Sequence, residues 1–198
     1  MTSPPDRNER DLALVRRFQA GEEGAFDLLV AEHRREVYRL AHRLLGNHAD
    51  ADDLAQEAFL RIYRSLGGFR GESAFRTYLT RIVLNLAADR RRARGTGRLV
   101  SMDEIPERYS PGGAEPLETG LIREEVLRRA IRLLPPRQRE TLILRVFQEM
   151  KFREIARVMG CTVGTAKANF FHALKGLRDR VGHDFPARSA GAGSEVKQ

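Results

Sequence analysis

A group of arginines follows an amphipathic stretch of the chain, and its chemistry suits a nucleic acid. Its members are Arg90, Arg91, Arg92 and Arg94. A guanidinium group binds phosphate oxygens in a fork geometry, and Asn85, about one and a half to two and a half turns earlier, can bond a base edge through its amide. Phe69, in a polar segment just before the stretch, offers a ring on which a base can stack. A solvated helix end is also rich in arginine, so that interpretation stays open as well.

A second set of side chains recurs on one side of the helix predicted near the end of the chain. It combines hydroxyl, amine, amide and imidazole groups, which read bases or hold phosphates in DNA-binding helices. Its members are Thr165, Lys167, Ala168, Asn169, His172 and Lys175. A helical hairpin with no DNA role is the alternative, and His172 alone is more typical of a solvated residue.

Acidic residues crowd the predicted start of another helix. They are Asp50, Asp52, Asp53 and Glu57. Acids near a helix N-terminus are favoured by the macrodipole alone. Two sharper interpretations are a metal site that includes His48 and a surface that docks on a basic partner. The spacing matches no recognised metal site, so the sequence predicts no metal site, no catalytic residue and no cofactor.

Helices are predicted to position all of these side chains. In the helix that carries Asn85, one buried stripe is predicted from apolar residues at helical spacing. The stripe comprises Phe75, Leu79, Ile82, Val83 and Leu86. Ser73 is predicted to cap this helix, Thr77 to lie on its exposed side and Gly95 to end it.

The remaining helices are predicted from the same periodicity and from glycine and proline stops. In the first half they cover residues 11–20, 22–45 and a segment after Gly46; in the second half they cover 121–134, about 137–147, 152–159 and 163 to about 181. The segments 152–159 and 163–181, joined by a tight turn at Gly160, predict a helix-turn-helix. The residues predicted to face inward are Leu142, Ile143, Val146, Ala166, Phe170, Ala173, Leu174 and Leu177.

The sequence therefore predicts an all-α protein with two small helical domains joined by a flexible linker. Residues 1–10 are predicted to be disordered, 11–94 to form the first domain, 121–182 the second and 183–198 a disordered tail. Residues 95–120 between them are rich in glycine and proline. From 99 to 118 this linker holds five acids and one arginine, a net charge of −4.

Composition limits the function further. The 198 residues carry a formal net charge of +8, which indicates a polyanionic partner. The single cysteine, Cys161, excludes an internal disulfide. The polar start is unlike a signal peptide, and no apolar run approaches the roughly 18 residues that span a bilayer. A cytoplasmic location without membrane insertion is expected.

Two sequence segments, in this order, resemble a bacterial extracytoplasmic-function (ECF) sigma factor of the sigma-70 family. Residues 45–94, LGNHADADD through DRRRAR, are similar to sigma region 2, and residues 134–178, LPPRQRETL through HALKGLR, are similar to region 4. The resemblance implies a sigma region 2 bundle and a region 4 helix-turn-helix. It also implies a factor that binds RNA polymerase core, recognises the -10 and -35 promoter elements and helps to melt the promoter. An anti-sigma factor is a further partner that the family suggests.

The resemblance also implies which residues do this work. The residues matched to core polymerase binding are Asp52, Asp53, Gln56, Glu57, Phe59 and Arg61. Those matched to the -10 element and melting are Phe69, Arg70, Gly71, Glu72, Ser73, Asn85, Asp89, Arg91 and Arg92. The -35 element is expected to contact Thr165, Lys167, Ala168, Asn169, His172 and Lys175.

The chain departs from the family pattern at a few positions. Tyr78 stands where members usually carry Trp, which keeps an aromatic body. In the last helix GTAKANFFHA replaces the frequent GTVKSRLHRA, so Ala168 and Asn169 stand for Ser and Arg. Asn favours adenine, and Phe171 is expected to contact a thymine methyl group or a neighbouring helix. The -35 sequence therefore cannot be copied from relatives.

Two other functions account for less of the sequence than a sigma factor does. A stand-alone helix-turn-helix transcriptional regulator would bind duplex DNA by itself. In such a regulator the region 2 similarity and the acidic helix would have no role. A metal-dependent hydrolase or nuclease would use His48 and the nearby aspartates, but the histidines are scattered and no phosphate-binding glycine loop is present. Both alternatives are weaker than a noncatalytic initiation factor.

Overall fold

The protein is helical throughout the part of the chain that a computed structural model describes, residues 6–93 and 117–184, with side chains described over 6–93 and 125–181. The helices are α1 (Arg7–Gln19), α2 (Gly24–Leu45), α3 (His48–Ser65), α4 (Phe75–Ala93), α5 (Leu117–Arg132), α6 (Pro136–Val146), α7 (Phe152–Met159) and α8 (Val163–Asp184). A 3-10 turn, Leu66–Gly68, follows α3. The described residues include no strand, and the predicted all-α class is confirmed. We refer to α1–α4 as the first domain and to α5–α8 as the second domain.

Helix α1 begins earlier than the sequence predicted. The backbone N–H of Asp6 donates to the Glu9 carboxylate at 3.3 Å, which caps the first turn, so the prediction of disorder was wrong for residues 7–10. Helix α5 likewise begins at Leu117, inside the segment predicted as linker. The rest of the predicted linker, residues 95–116, and most of the predicted tail, 185–198, lie outside the described residues.

The first domain is built on the antiparallel pair α2 and α3, against which α1 and α4 pack. Gly46 ends α2 with φ of 86°, a conformation that glycine adopts at little cost. The Asn47 side chain then accepts a hydrogen bond from the backbone N–H of Asp50 at 2.8 Å and caps α3. Leu54, Ile62 and Phe75 are completely buried where the three larger helices meet.

A buried hydrogen bond attaches α1 to α2. The Nε2 atom of His33 lies 3.0 Å from the Asp11 carboxylate, and both side chains are almost completely buried. The Arg7 guanidinium lies 3.5 Å from the other ring nitrogen of His33. Because buried polar groups must be hydrogen-bonded, this set fixes how α1 lies on the domain.

Helix α4 differs from its prediction at two residues. Ser73 does not cap it: the hydroxyl donates to the Ala74 carbonyl at 3.4 Å, and that carbonyl accepts from the backbone N–H groups of Thr77 and Tyr78. Thr77, predicted to be exposed, is buried, as are Thr80 and Leu84 nearby. The reason is that α7 of the second domain packs against α4. The predicted core stripe from Phe75 to Leu86 is confirmed.

The second domain packs α5, α6 and α7 around α8. The predicted helix over 152–159 is confirmed, and Gly160 makes the tight turn to α8 with φ of 62°. Two inward predictions were wrong, since Val146 and Leu174 are largely exposed. Helix α6 lies between α8 and α2, where it buries Leu142 and Ile143 as predicted and also Leu144. Leu174 is exposed because it follows Ala173 directly and therefore lies about 100° around α8 from it, at the edge of the side that Ala166 and Ala173 bury.

A strained turn between α6 and α7 generates a stability prediction. Glu149 has φ of 53°, in the left-handed region that side chains other than glycine avoid. The left-handed conformation costs an L-residue about 1–2 kcal/mol, and glycine loses roughly half of that gain through its greater unfolded-state freedom. Glu149→Gly is therefore expected to raise the free energy of unfolding by about 0.5–1 kcal/mol, measured by urea denaturation.

Glu149→Ala is the matched control, since it removes the carboxylate but keeps the strained Cβ. We expect it to leave stability nearly unchanged. Equal gains in both variants would assign the effect to the carboxylate and contradict the strain argument.

Candidate nucleic-acid and partner surfaces

The exposed side of α3 carries the acidic residues that the sequence singled out. Asp52, Asp53, Gln56 and Glu57 are all exposed there. Helix α3 begins at His48, so Asp52 and Asp53 lie in its second turn and Gln56 and Glu57 in its third. We call these four residues the acidic surface. Of the other two residues matched to polymerase binding, Arg61 is exposed and Phe59 is half-buried against the core.

Leu60 was missed by the sequence analysis. Its side chain is 58% exposed, and the helical spacing places it between Asp53 and Gln56 on the same side of α3. An apolar residue surrounded by charged ones matches the anatomy of a protein interface, with an apolar centre and a polar rim. The signal was present in the sequence, since Leu60 lies off the buried stripe formed by Leu54, Ala58 and Ile62.

One arginine of the cluster at the end of α4 holds α3 in place. The Arg90 guanidinium donates to the backbone carbonyl of Asp50 at 2.9 Å and lies 3.2 Å from the Glu57 carboxylate. Arg90 therefore connects the end of α4 to the first turns of α3. This side chain supports the acidic surface, which leaves the other arginines of the cluster for other contacts.

The loop from Phe69 to Ser73 has an ordered base and an exposed tip. The Phe69 ring is half-buried, with its centroid 4.8 Å from that of Tyr78 and 6.3 Å from that of Phe75. Much of the ring is thus already in contact with protein. Arg70, Gly71 and Glu72 are exposed at the tip, and Ser73 is half-buried.

Helix α1 holds the start of this loop through side-chain hydrogen bonds. The Gln19 side-chain amide donates to the carbonyls of Leu66 at 3.0 Å and Phe69 at 2.9 Å. The Tyr78 hydroxyl lies 2.6 Å from the Ser65 hydroxyl, which closes the other side of the turn. These hydrogen bonds hold the loop backbone in one conformation. A preformed loop loses little entropy on binding, which favours a ligand that must be distorted in order to bind.

The residues predicted to contact DNA from α4 divide between two sides of the helix. Asn85, Asp89 and Arg92 are exposed on one side, where Asp89 and Arg92 form an ion pair one turn apart. Arg91 lies on another side and points to the second domain, where its guanidinium is 3.0 Å from the Glu140 carboxylate. The structure therefore brings three of the four residues together and separates Arg91 from them.

Helix α8 presents a basic side to solvent. Thr165, Lys167, Ala168, His172 and Lys175 are exposed, as predicted, while Asn169 is half-buried. The helix is anchored by the Thr162 hydroxyl, which accepts from the backbone N–H of Thr165 at 3.0 Å. The Thr165 hydroxyl lies 2.9 Å from that of Thr162, so the two hydroxyls share a hydrogen bond.

Phe171 occupies the middle of this basic side. Its ring is 65% exposed and contacts the His172 ring edge-on, at 5.7 Å between centroids. Helical geometry places it between Lys167 and Lys175, opposite the buried Ala166 and Ala173. Of the two contacts expected for Phe171, packing on a neighbouring helix is not observed among the described residues, and the ring is 65% exposed there.

His48, the histidine that the sequence suggests for a metal site, contacts the side chains of Tyr38 and His42. His48 Nδ1 and the Tyr38 hydroxyl are hydrogen-bonded, and the His48 ring stacks on His42 at 4.4 Å. Within residues 6–93 and 117–184, no three His, Cys, Asp or Glu side chains are gathered as metal ligands. None of the described helices is both long and apolar enough to cross a membrane.

Two family descriptions match the chain, one in each domain. Residues 29–96 match sigma-70 region 2, and residues 124–177 match sigma-70 region 4. Their order and separation are those of the two helical domains. Together the matches cover more than half of the chain.

Curated relatives match over nearly the whole length. The chain is 37% identical to the RNA polymerase sigma-H factor of Pseudomonas aeruginosa over 179 residues, which is 85% of this chain and 92% of the relative. It is 36% identical to the ECF RNA polymerase sigma-E factor of Escherichia coli, over 86% of this chain and 94% of that one.

Solved structures share the fold. The sigma factor RpoE of Bartonella quintana, determined with the anti-sigma factor NepR, superposes with a TM-score of 0.64 at 21% identity, over 81% of this chain and 98% of that one. CnrH, determined with the cytosolic domain of CnrY, gives 0.67 at 24%, over 89% and 99%. From the two family matches and the full-length relatives, the chain belongs to the sigma-70 family and is an ECF RNA polymerase sigma factor.

Proposed function

We propose that three surfaces of this sigma factor divide the work of transcription initiation. As a family member, the chain binds RNA polymerase core and promoter DNA. The observation that carries the proposal is the separation of charge: the acidic surface lies on α3, whereas the exposed Lys167 and Lys175 lie on α8 in the other domain. A basic protein partner would therefore bind the acidic surface, and a nucleic acid would bind the basic side of α8.

The acidic surface is the polymerase-docking surface. Asp52, Asp53 and Gln56 are free to meet basic groups, and Leu60 supplies an apolar centre that a partner would bury. Arg90 holds the first turns of α3 against α4, so the charges are presented on a rigid element. Rigid presentation reduces the entropy that is lost on docking.

The loop from Phe69 to Ser73 and the outward side of α4 form the -10 surface. Extruding a base from the stack costs a few kcal/mol. Binding to a preformed loop offsets that cost, because the loop loses little conformational entropy when the base binds. The exposed Arg70, Gly71 and Glu72 stand at the loop tip, and Asn85 and Arg92 continue the surface along α4. Phe69 supports the loop with one part of its ring and leaves the remainder for a base.

The basic side of α8 is the -35 surface. Lys167 and Lys175 supply phosphate contacts, and Phe171 between them can meet a thymine methyl group in the major groove. His172 adds a hydrogen-bonding group. Asn169, half-buried at the flank of the helix, would reach a base edge from the side.

We further propose that the factor catalyses no reaction of its own and works in the cytoplasm, with the polymerase. The competing function is a helix-turn-helix regulator that binds duplex DNA alone. The two functions differ in what they need from the polymerase, and that difference can be measured directly.

The first test compares the chain with and without core polymerase. The isolated protein is expected to bind promoter DNA weakly, with strong salt dependence and little sequence preference. Specific binding and permanganate-reactive thymines in the -10 region should be found only after core is added. Tight, specific duplex binding that core leaves unchanged would favour the stand-alone regulator.

The acidic surface generates a second prediction. Asp53→Lys should weaken binding to core polymerase by about 1 kcal/mol or more, because it replaces attraction with repulsion, and Leu60→Ala should weaken it by a similar amount. Core affinity can be measured by fluorescence anisotropy of labelled sigma factor. Asp27→Lys, an equal charge change at an exposed residue of α2, is the control and should bind normally. Unaltered affinity in both test variants would refute the docking assignment.

The -35 surface generates a third prediction. Lys167→Ala should weaken promoter binding at every sequence and reduce the salt slope by about 1, as expected for one lost phosphate contact. Asn169→Ala should change base preference by about 1–3 kcal/mol at one position. Selection from a randomised -35 library in the presence of core separates the two effects. Lys151→Ala, which removes an exposed lysine outside α8, serves as the control; if Asn169→Ala selects the parental sequence, Asn169 is not a base reader.

A further inference from the structure

Helix α1 runs beside the loop that precedes α4. Near the end of the helix, the Gln19 side-chain amide donates to the carbonyls of Leu66 and Phe69 at 3.0 and 2.9 Å. Near its middle, Leu12 reaches the loop tip, where a Cβ added at Gly71 would lie 3.8 Å from the Leu12 Cδ2 atom. Leu12 and Gln19 are about 10.5 Å apart along the helix axis, at about 1.5 Å per residue. The loop is therefore in contact with α1 at both its start and its tip.

Arg16 lies on the same side of α1 as these contacts. The spacing of Leu12, Arg16 and Gln19 is i, i+4 and i+7, which at about 100° per residue keeps Arg16 within about 60° of the other two. Asp11 and Val15 are buried on one flank of this side, where it faces the core. Arg16 lies on the opposite flank and is exposed. Its side chain therefore emerges beside the loop, at a level between the start and the tip.

The charge of Arg16 is not used within the described part of the chain. The neighbouring Arg17 donates from Nε to the Glu22 carboxylate at 2.8 Å, and this hydrogen bond raises the pKa of Arg17. The Arg16 side chain, in contrast, has no hydrogen bond and no ion pair among the described residues. Its guanidinium donors are therefore open to an anionic ligand.

The loop itself carries no net charge with which to hold a phosphate. Its two charged residues, Arg70 and Glu72, cancel. A base that leaves the stack remains joined to its phosphates, and proteins that bind single strands combine stacking rings with cations along the backbone. Phe69 is the ring of this loop, and Gln19 attaches its backbone to α1. Arg16, about one turn before Gln19, supplies the matching cation.

We propose that Arg16 is a further DNA-binding residue of this sigma factor, and that it binds the phosphate adjoining the unstacked base of the -10 element. A guanidinium can hold two phosphate oxygens at once, so this contact would fix the orientation of the nucleotide as well as its position. Helix α1 lies outside residues 29–96, which match sigma-70 region 2, so the proposal adds an element to the DNA surface. The identity of the ligand rests on the proposed function, whereas the attachment of α1 to the loop does not.

The test uses holoenzyme, formed at saturating core polymerase, and a fluorescein-labelled single-stranded oligonucleotide from the -10 region of a promoter that the factor transcribes. Each phosphate contact to a single strand contributes about 0.7 to the slope of log affinity against log salt. Arg16→Ala should therefore lower the slope by about 0.7 and weaken binding about fivefold at about 0.1 M salt. Arg16→Lys, which keeps the charge, should keep most of the slope. Parental affinity and slope in Arg16→Ala would overturn the proposal.

Arg10→Ala is the matched control, since Arg10 is an exposed arginine of the same helix. It lies about 160–180° around α1 from Leu12 and Gln19, at about 100° per residue, so it faces away from the loop. This variant should bind the oligonucleotide with the parental affinity and slope. Equal losses in Arg10→Ala and Arg16→Ala would assign the effect to total charge and would also overturn the proposal.

A second measurement locates the phosphate. Uncharged methylphosphonate linkages replace the phosphates of the oligonucleotide one position at a time. The parent and Arg10→Ala should lose about fivefold in affinity at the linkage beside the unstacked base, whereas Arg16→Ala should lose nothing further there. Losses at every linkage that are the same in Arg16→Ala as in the parent would mean that Arg16 contacts no phosphate.

Arg70→Ala separates the role of Arg16 from the proposed function of the loop. Weaker binding by Arg70→Ala but not by Arg16→Ala would keep the loop in the -10 surface and overturn the role of Arg16. Weaker binding by Arg16→Ala alone would support the contact from α1 and remove Arg70 from the -10 surface. Parental binding by both variants would contradict both assignments.

Discussion

Helix α4 must bury apolar side chains and present polar ones along the same 19 residues, and the rest of the molecule is arranged around that requirement. Its core stripe holds α2 and α3 together, which fixes where the acidic surface and the loop lie. Its arginines then have unequal surroundings. Arg90 ties α4 to α3, Arg91 pairs with Glu140, and Arg92 stays largely exposed beside Asp89. These three consecutive arginines therefore make three different kinds of contact: within the first domain, between the domains and at the surface.

Local patterns were sufficient to predict most of the helices. The apolar periodicity of α4, the glycine stop after α2 and the turn at Gly160 depend on interactions within a few residues, and all three were found as predicted. The start of α1 was placed too late because its cap uses Glu9, which gives no strong signal without an apolar stripe around it. Such boundaries depend on single hydrogen bonds rather than on a repeated pattern.

Predictions failed where a distant element decides burial. Thr77 is polar and off the stripe, so nothing in α4 alone indicates that α7 covers it. Val146 and Leu174 fit the apolar periodicity of their helices but lie beyond the neighbours that would bury them. The same limit applies to the candidate surfaces: their residues could be selected from the sequence, but the separation of Arg91 from Asn85 depends on the packing of two domains.

The hydrogen bonds from Gln19 have a consequence for how the factor can be inhibited. Gln19 belongs to α1, yet it holds two carbonyls of the turn that leads into the loop, and α1 is itself attached through the buried Asp11 and His33 pair. A ligand that pried α1 from the bundle would release the loop without contacting it, and the loop would then lose its preformed shape. Helix α1 is therefore a second target on this chain: under the proposed function, an antagonist that binds α1 would disable the loop from Phe69 to Ser73 without competing for the loop itself.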